Sequence, residues 1–328
     1  MTRRIRHIIL YFSISIFFLI SPAVILYAWG YSFDFEKRKP VLTGGFYFTS
    51  IPREAQVYLD DKSKTQTPAF IKRLVPKIYQ VRINKEGFHV WEKRMKIQSS
   101  LVTEAKDILL IPFNPTLELI RDDLEKDFIL KEFLLPQEPA EIFYIEKPSF
   151  ILYKTDQNNS FKEQISLSPL PEGHEYQIIV SDHQKITVLD QEGQLYLFNP
   201  ESRSFELIAQ DVLNVRFCDD NKKFLYFSSS EIWLYSLTDL SRPKNENQEL
   251  ITRLSQEIKD AVWYGKTNQH IVFITGEELK IIELDNRDRR NIFDIIKIKD
   301  MSQVAYNPND EQIYIVKNEE LMKLGFPD

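Results

Sequence analysis

Cysteine occurs once in 328 residues, at position 218, so no disulfide can close within the chain and stability must come from packing. Cys218 follows Val215-Arg216-Phe217, a strand-like context that reads as a small core position rather than a reactive thiol. Glycine is scarce too: nine residues leave little for backbone cradles around phosphate, and neither a glycine-rich phosphate loop nor a Gly-x-Ser-x-Gly elbow occurs. The five histidines, His7, His89, His174, His183 and His270, stand apart at no metal-ligand spacing. Basic excess is missing as well. The net charge is −6, and the three arginines before position 7 leave −9 on residues 30–328, so no basic stripe offers counterion release to a nucleic acid. These absences leave no catalytic, cofactor-binding or metal-binding residue to nominate, and a protein that is not an enzyme is expected.

What the chain does have, first, is a long apolar run. Residues 8–29 contain no Asp, Glu, Lys, Arg or His. As a helix at ~1.5 Å per residue they reach ~33 Å, enough for a hydrocarbon core of about 30 Å. Arg3, Arg4 and Arg6 precede the run and no acidic residue lies in the first 29 positions, which places the N-terminus in the cytoplasm and the rest outside. Tyr27, Trp29 and Tyr31 suit the membrane interface, and Pro22 is tolerated within the span. A cleaved signal peptide is the alternative. Its apolar core is ~7 to 15 residues and ends in a small-x-small site, whereas this run is longer and ends in bulky Leu26-Tyr27-Ala28-Trp29. An uncleaved anchor over residues 1–31 is expected.

With 43% hydrophobic and 27% charged residues, the remainder can bury a sizeable core and has room for about two units. Residues 32–43 read as a linker of mixed charge. After Gly44-Gly45 the apolar period becomes two: 46–49, 55–59, 78–83, 89–97 and 105–111 alternate and are rich in β-branched and aromatic side chains. Asp60-Asp61-Lys62-Ser63 and Lys85-Glu86-Gly87 read as turns, and Pro68 and Pro76 bracket a short crossing segment.

The order Ser50-Ile51-Pro52, Ala55, Val57-Tyr58-Leu59-Asp60, Thr67-Pro68, Pro76, Tyr79, Val81 and Gly87-Phe88 resembles the PEGA domain, a small extracellular β-domain, over residues 44–112. Pro52-Arg53-Glu54-Ala55 stands where that family carries Pro-Glu-Gly-Ala, and Lys77 where a glycine is common. The resemblance implies a surface-exposed module of bacterial envelope proteins without a catalytic residue. Trp91 can be read as a sugar-stacking platform, but on an alternating strand it is expected in the core.

Residues 113–328 carry a loose repeat. Phe217, Trp263 and Tyr306 occupy equivalent positions 46 and 43 residues apart, each opening a set of short strands. That spacing approaches the ~40 to 45 residues of a four-stranded propeller blade. Further sets start at Tyr176 and Ile142, for about five blades in all. The last set stops at three strands, so the strand-like run 128–134 is expected to pair with 321–324 and close the ring. This part resembles WD-repeat and TolB-like propellers in architecture, although the WD dipeptide is absent.

Weaker chemical candidates are read as structure. Asp219-Asp220-Asn221, Asp122-Asp123 and Asp60-Asp61 lack the calcium-loop pattern and read as turns. The run 285–290 reads as a solvated loop rather than a contact for an anionic polymer, and Asn158-Asn159-Ser160 is a glycosylation sequon only in a eukaryote. The expected protein is therefore mainly β: an anchor helix, a PEGA-like domain and a roughly five-bladed propeller. Its expected role is that of a non-catalytic extracytoplasmic binding or scaffold protein of the cell envelope, with the membrane and a protein or glycan as partners. The alternatives are an enzyme whose site assembles in the propeller channel and a structural surface-layer component.

Overall fold

The apolar run folds as helix α1 (Arg3–Ala28), and its 24 residues Ile5–Ala28 form a helix long and apolar enough to cross a membrane, with none of that stretch buried in the protein. The Ser21 hydroxyl bonds the Phe17 carbonyl one turn earlier, just before Pro22. The computed structural model describes residues 3–35, 37–125, 128–134, 141–172, 174–238 and 243–326. Residues 1–2 of the expected cytoplasmic tip, Glu36 of the expected linker and the last two residues of the expected propeller lie outside them. Contacts divide the chain into two units. One holds residues 1–113 with Asn286–Asn291, and the other holds Asn114–Asp285 with Ile292–Pro327. The division falls one residue beyond the boundary expected at 112.

In the first unit the expected linker is a β-hairpin. Strands β1 (Tyr31–Asp34) and β2 (Lys39–Leu42) pair from Tyr31↔Leu42 to Asp34↔Lys39 as a sheet of their own. Its mixed charge hid the alternation that a strand of a core would show. Beyond it lie β3 (Gly44–Ile51), β4 (Gln56–Leu59), β5 (Lys62–Gln66), β6 (Ala69–Leu74), β7 (Ile78–Asn84), β8 (Trp91–Lys96) and β9 (Val102–Leu109). They form two sheets, β6-β3-β9 with β3 parallel to β9, and β5-β4-β7-β8. Period-two side chains from both, among them Phe46, Phe48, Val57, Val81, Ile83, Trp91 and Met95, fill one core. Trp91 is part of that core, which leaves no face for a sugar.

Two turns refine the reading. The hairpin between β4 and β5 turns on Asp60 and Asp61 alone, with φ of 48° and 61°, so Lys62 and Ser63 belong to β5 rather than to the turn. Glu54, at the position where the PEGA signature carries glycine, has φ 63°. A Cβ on Gly44 would fall on the Gln98 and Leu101 carbonyls, so only glycine lets the backbone through there.

The segment Asn286–Asn291 is not a freely solvated loop. Lys93, 1% exposed, donates from Nζ to the Arg287 carbonyl at 3.1 Å and to that of Arg289. Asp288 accepts from the Arg94 backbone at 3.0 Å and from its guanidinium at 3.1 and 3.2 Å, and these bonds hold its carboxyl below the usual range.

The second unit is a five-bladed β-propeller. Strand β10 (Thr116–Arg121) and helix α2 (Leu130–Leu134) precede the first blade, which has β11 (Glu141–Glu146), β12 (Ile151–Asp156) and β13 (Glu163–Gln164). The second is β14 (Tyr176–Val180), β15 (Ile186–Asp190), β16 (Leu195–Asn199) and β17 (Ser204–Ala209). The third is β18 (Asn214–Phe217), β19 (Lys223–Phe227), β20 (Glu231–Ser236) and β21 (Gln248–Arg253). The fourth is β22 (Ile258–Tyr264), β23 (His270–Thr275), β24 (Glu278–Glu283) and β25 (Ile292–Lys297). The fifth is β26 (Met301–Asn307), β27 (Gln312–Lys317) and β28 (Glu320–Gly325), completed by β10.

Second strands such as β15 and β23 are buried along their whole length, because each lies between two neighbouring blades. Leu225 and Phe227 of the third blade thus share a core with Ile271 and Phe273 of the fourth. Burying one such side chain contributes roughly 1.5 to 3 kcal/mol.

The ring closes by an early strand, but not the one expected. Thr116–Arg121 pairs antiparallel with β28, from Thr116↔Gly325 to Leu119↔Met322. Residues 130–134 are helical instead. Leu130 is buried and Leu134 half-buried against Ala305, Tyr314 and Leu321, and Gln303 fixes the turn before the helix by accepting from Leu130 N at 2.9 Å and donating to Phe128 O at 2.7 Å.

Candidate functional site

The equivalent residues of the repeat meet at the centre of the propeller. First strands β14, β18, β22 and β26 line two cavities there. One, of about 220 Å³, is bounded by Asp182, Phe217, Cys218, Asp219, Trp263 and Tyr306, with Leu134 of α2 reaching its wall. The other, of about 540 Å³, is bounded by Gln177, Asn214, Lys259, Asp260, Ser302 and Gln303. Arg216 borders both. The repeat made Phe217, Trp263 and Tyr306 equivalent without assigning them a role, and the propeller's symmetry carries all three to one opening.

Hydrogen bonds between blades hold this wall. The Trp263 indole donates to the Arg216 carbonyl at 2.9 Å. Buried Asp260 accepts from Ala261 N at 2.9 Å, from Val304 N at 3.0 Å and from Arg216 Nη2 at 3.3 Å, so one carboxylate ties three first strands together. Burial pushes its carboxyl above the usual range despite the Arg216 charge.

The smaller cavity is acidic and aromatic. Partial burial and the neighbouring Asp182 and Asp220 carboxylates raise Asp219 above the ordinary carboxylate range. Burial, with Glu311 and Asp219 nearby, pushes the Tyr306 hydroxyl up to about 12, and its ring meets that of Tyr264 edge to face at 5.1 Å. Asp182 and Asp219 form no ion pair among the described residues. The Cys218 thiol, 2% exposed, donates to Asp220 Oδ1 at 2.7 Å and is pushed up to about 11, chiefly by burial. It therefore presents no thiolate.

The remaining candidates stay apart. Asp220 and Asn221 shape the turn into β19, with Asn221 at φ 53° and bonded to His183 at 2.8 Å, while Asp219 borders the cavity. Asp60 accepts from Lys77 at 2.7 Å, and Asp123 accepts from Arg121 at 2.7 Å. His270 is buried in β23, and His174 faces Asp190 at 3.6 Å. Among the described residues no three His, Cys, Asp or Glu side chains are grouped to hold a metal. The sequence signal for the site was the period of 43 to 46 residues, which marks its aromatic members but not Asp182 or Asp219, since loop residues follow no repeat.

No curated protein matches the sequence. Among solved structures, the chain is similar to YCF48 bound to D1 peptide, with 11% identity, 88% of this chain and 92% of that one covered, and a TM-score of 0.40. It is similar to the β-propeller domain of Cps50 (Swd1) from Myceliophteria thermophila, with 11% identity, coverage of 81% and 87%, and a TM-score of 0.36. A gluconolactonase from Xanthomonas campestris shares 11% identity over 76% of this chain and 82% of that one, with a TM-score of 0.39. Residues 43–108 match the PEGA domain family, so the chain carries a PEGA domain followed by a propeller.

Proposed function

We propose that the protein is a single-pass membrane protein of the bacterial cell envelope. Its N-terminus is cytoplasmic, and its PEGA domain and propeller bind or scaffold a protein or glycan partner outside the membrane without catalysing a reaction. The carrying observation is the smaller channel cavity. Phe217, Trp263 and Tyr306 supply aromatic area there, and the carboxylates of Asp182 and Asp219 supply acceptors for N–H or O–H groups of a partner. Arg3, Arg4 and Arg6, ahead of the apolar run 8–29, support the orientation.

A photocrosslinking residue placed at Phe217 or Tyr306 in native envelopes tests the site. One discrete crosslinked partner, lost when Trp263→Ala is added, is the expected result. Crosslinks that survive that change, or none, would overturn the reading. Protease added to intact spheroplasts should digest residues 44–328, and peptides N-terminal to Trp29 should persist in membrane extracts. Protection until lysis would reverse the orientation, and a mature terminus near Gly30 would make the protein secreted.

One observation favours a catalytic reading instead. A carboxyl raised by burial and like charges, as at Asp219, is suited to proton transfer. Turnover of an envelope glycan by the purified protein, abolished by Asp219→Asn, would select that reading.

A further inference from the structure

The segment just after α1 exposes aromatic rings. Phe33 lies in β1 and Phe35 in the turn after it; they are 47% and 83% exposed, with rings edge to face at 5.2 Å. Trp29, at the end of α1, is 70% exposed. A two-stranded hairpin alone is marginally stable in water, and this one joins no larger sheet. It is nevertheless held to the end of α1, because the Thr43 backbone N–H and hydroxyl both donate to the Gly30 carbonyl, at 3.0 and 2.7 Å. At ~3.3 Å per residue, Phe33 and Phe35 lie within about 20 Å of that tie. Lys37 and Arg38 lie in the turn and Lys39 opens β2, while Asp34 is buried and accepts from Lys37 N at 3.1 Å. The Arg73 guanidinium stacks on Tyr27 of α1 at 3.5 Å, setting another cation at the same end of the helix.

We infer that the β1–β2 hairpin is a second membrane contact. Phe33 and Phe35 rest in the headgroup region of the leaflet where α1 ends, and Lys37, Arg38 and Lys39 face anionic lipid headgroups. The partner is the bilayer because these aromatic residues closely follow a helix that spans it, and because exposed aromatic rings beside basic residues are the chemistry that partitions to a membrane interface. The inference rests on α1 being a membrane span.

The test uses the full chain in nanodiscs, in a Cys218→Ala background, with single spin labels at Phe33→Cys, Phe35→Cys, Phe17→Cys within α1 and Lys64→Cys on the exposed strand β5. Collision with oxygen is compared with collision with a water-soluble nickel chelate. The expected result is that labels at 33 and 35 prefer oxygen at least fivefold more than the label at 64, and that replacing phosphatidylglycerol with phosphatidylcholine lowers this preference. Labels at 33 and 35 that match position 64, while position 17 reports lipid, would overturn the hairpin contact and leave the anchor standing. Position 17 matching position 64 would overturn the anchor itself. A preference unchanged by headgroup charge would overturn the electrostatic part.

Discussion

Arg216 Nη2 stands 3.3 Å from Asp260 Oδ1, a charge pair held between the first strands of neighbouring blades, while Asp260 Oδ2 accepts the Val304 N–H of the next blade. Removing one member of a buried pair leaves the other charge uncompensated, which costs about 3 to 5 kcal/mol. Asp260→Ala also strips two buried backbone donors of their acceptor. Denaturant unfolding of the propeller should show a loss of this size, and a change below about 1 kcal/mol would mean the carboxylate does not join the blades.

His270 sets an acid limit. Burial holds its imidazole down at about 4, whereas an unfolded histidine titrates near ~6.5. The fold therefore favours the neutral ring. Its stabilising contribution is complete above pH ~6.5 and falls away as the pH drops through about 4, a difference approaching about 3 kcal/mol. Between pH 7 and 4 the native chain should lose that much more stability than His270→Leu, measured by urea unfolding, and parallel pH profiles would refute it.

Deleting residues 116–121 should open the propeller rather than shorten a linker. Five register partners join β10 to β28, and each main-chain hydrogen bond contributes about 0.5 to 1.5 kcal/mol net. Amides of β26, β27 and β28 should then exchange much faster with deuterium. Unchanged protection of those strands would show that the ring does not depend on β10.

Glu54→Gly should stabilise the PEGA domain. A left-handed φ of 63° costs a residue with a Cβ about 1 kcal/mol that glycine avoids, and the exposed Glu54 side chain makes no hydrogen bond among the described residues. Slower hydrogen exchange in β3 and β7 is the expected readout, and faster exchange would mean that the glutamate is a favoured occupant.

The parts of the fold legible in the sequence are those with strong periodicity. The uncharged run became α1, and the period of 43 to 46 residues placed Phe217, Trp263 and Tyr306 on first strands. Polar edges escaped notice. Strand β5, Lys62–Gln66, is exposed throughout and carries no apolar alternation, so only its partner β4 specifies it. Residues 128–134 looked like a strand by content, yet Leu130, Phe133 and Leu134 follow helical spacing, and the closing strand at Thr116–Arg121 is largely exposed. The cavity was illegible because its walls gather residues from Leu134 to Pro308, joined only by the closed ring.

The closing strand also orders events in time. β10 precedes every blade, whereas its partner β28 ends the propeller, roughly 200 residues later. At ~5 to 20 residues per second the ribosome needs about 10 to 40 s to supply it. Until then β10 and the growing array keep unpaired edges of the kind that recruit other chains. A chain that stops before Glu320 leaves both edges unpaired, so closure of the ring waits for β28.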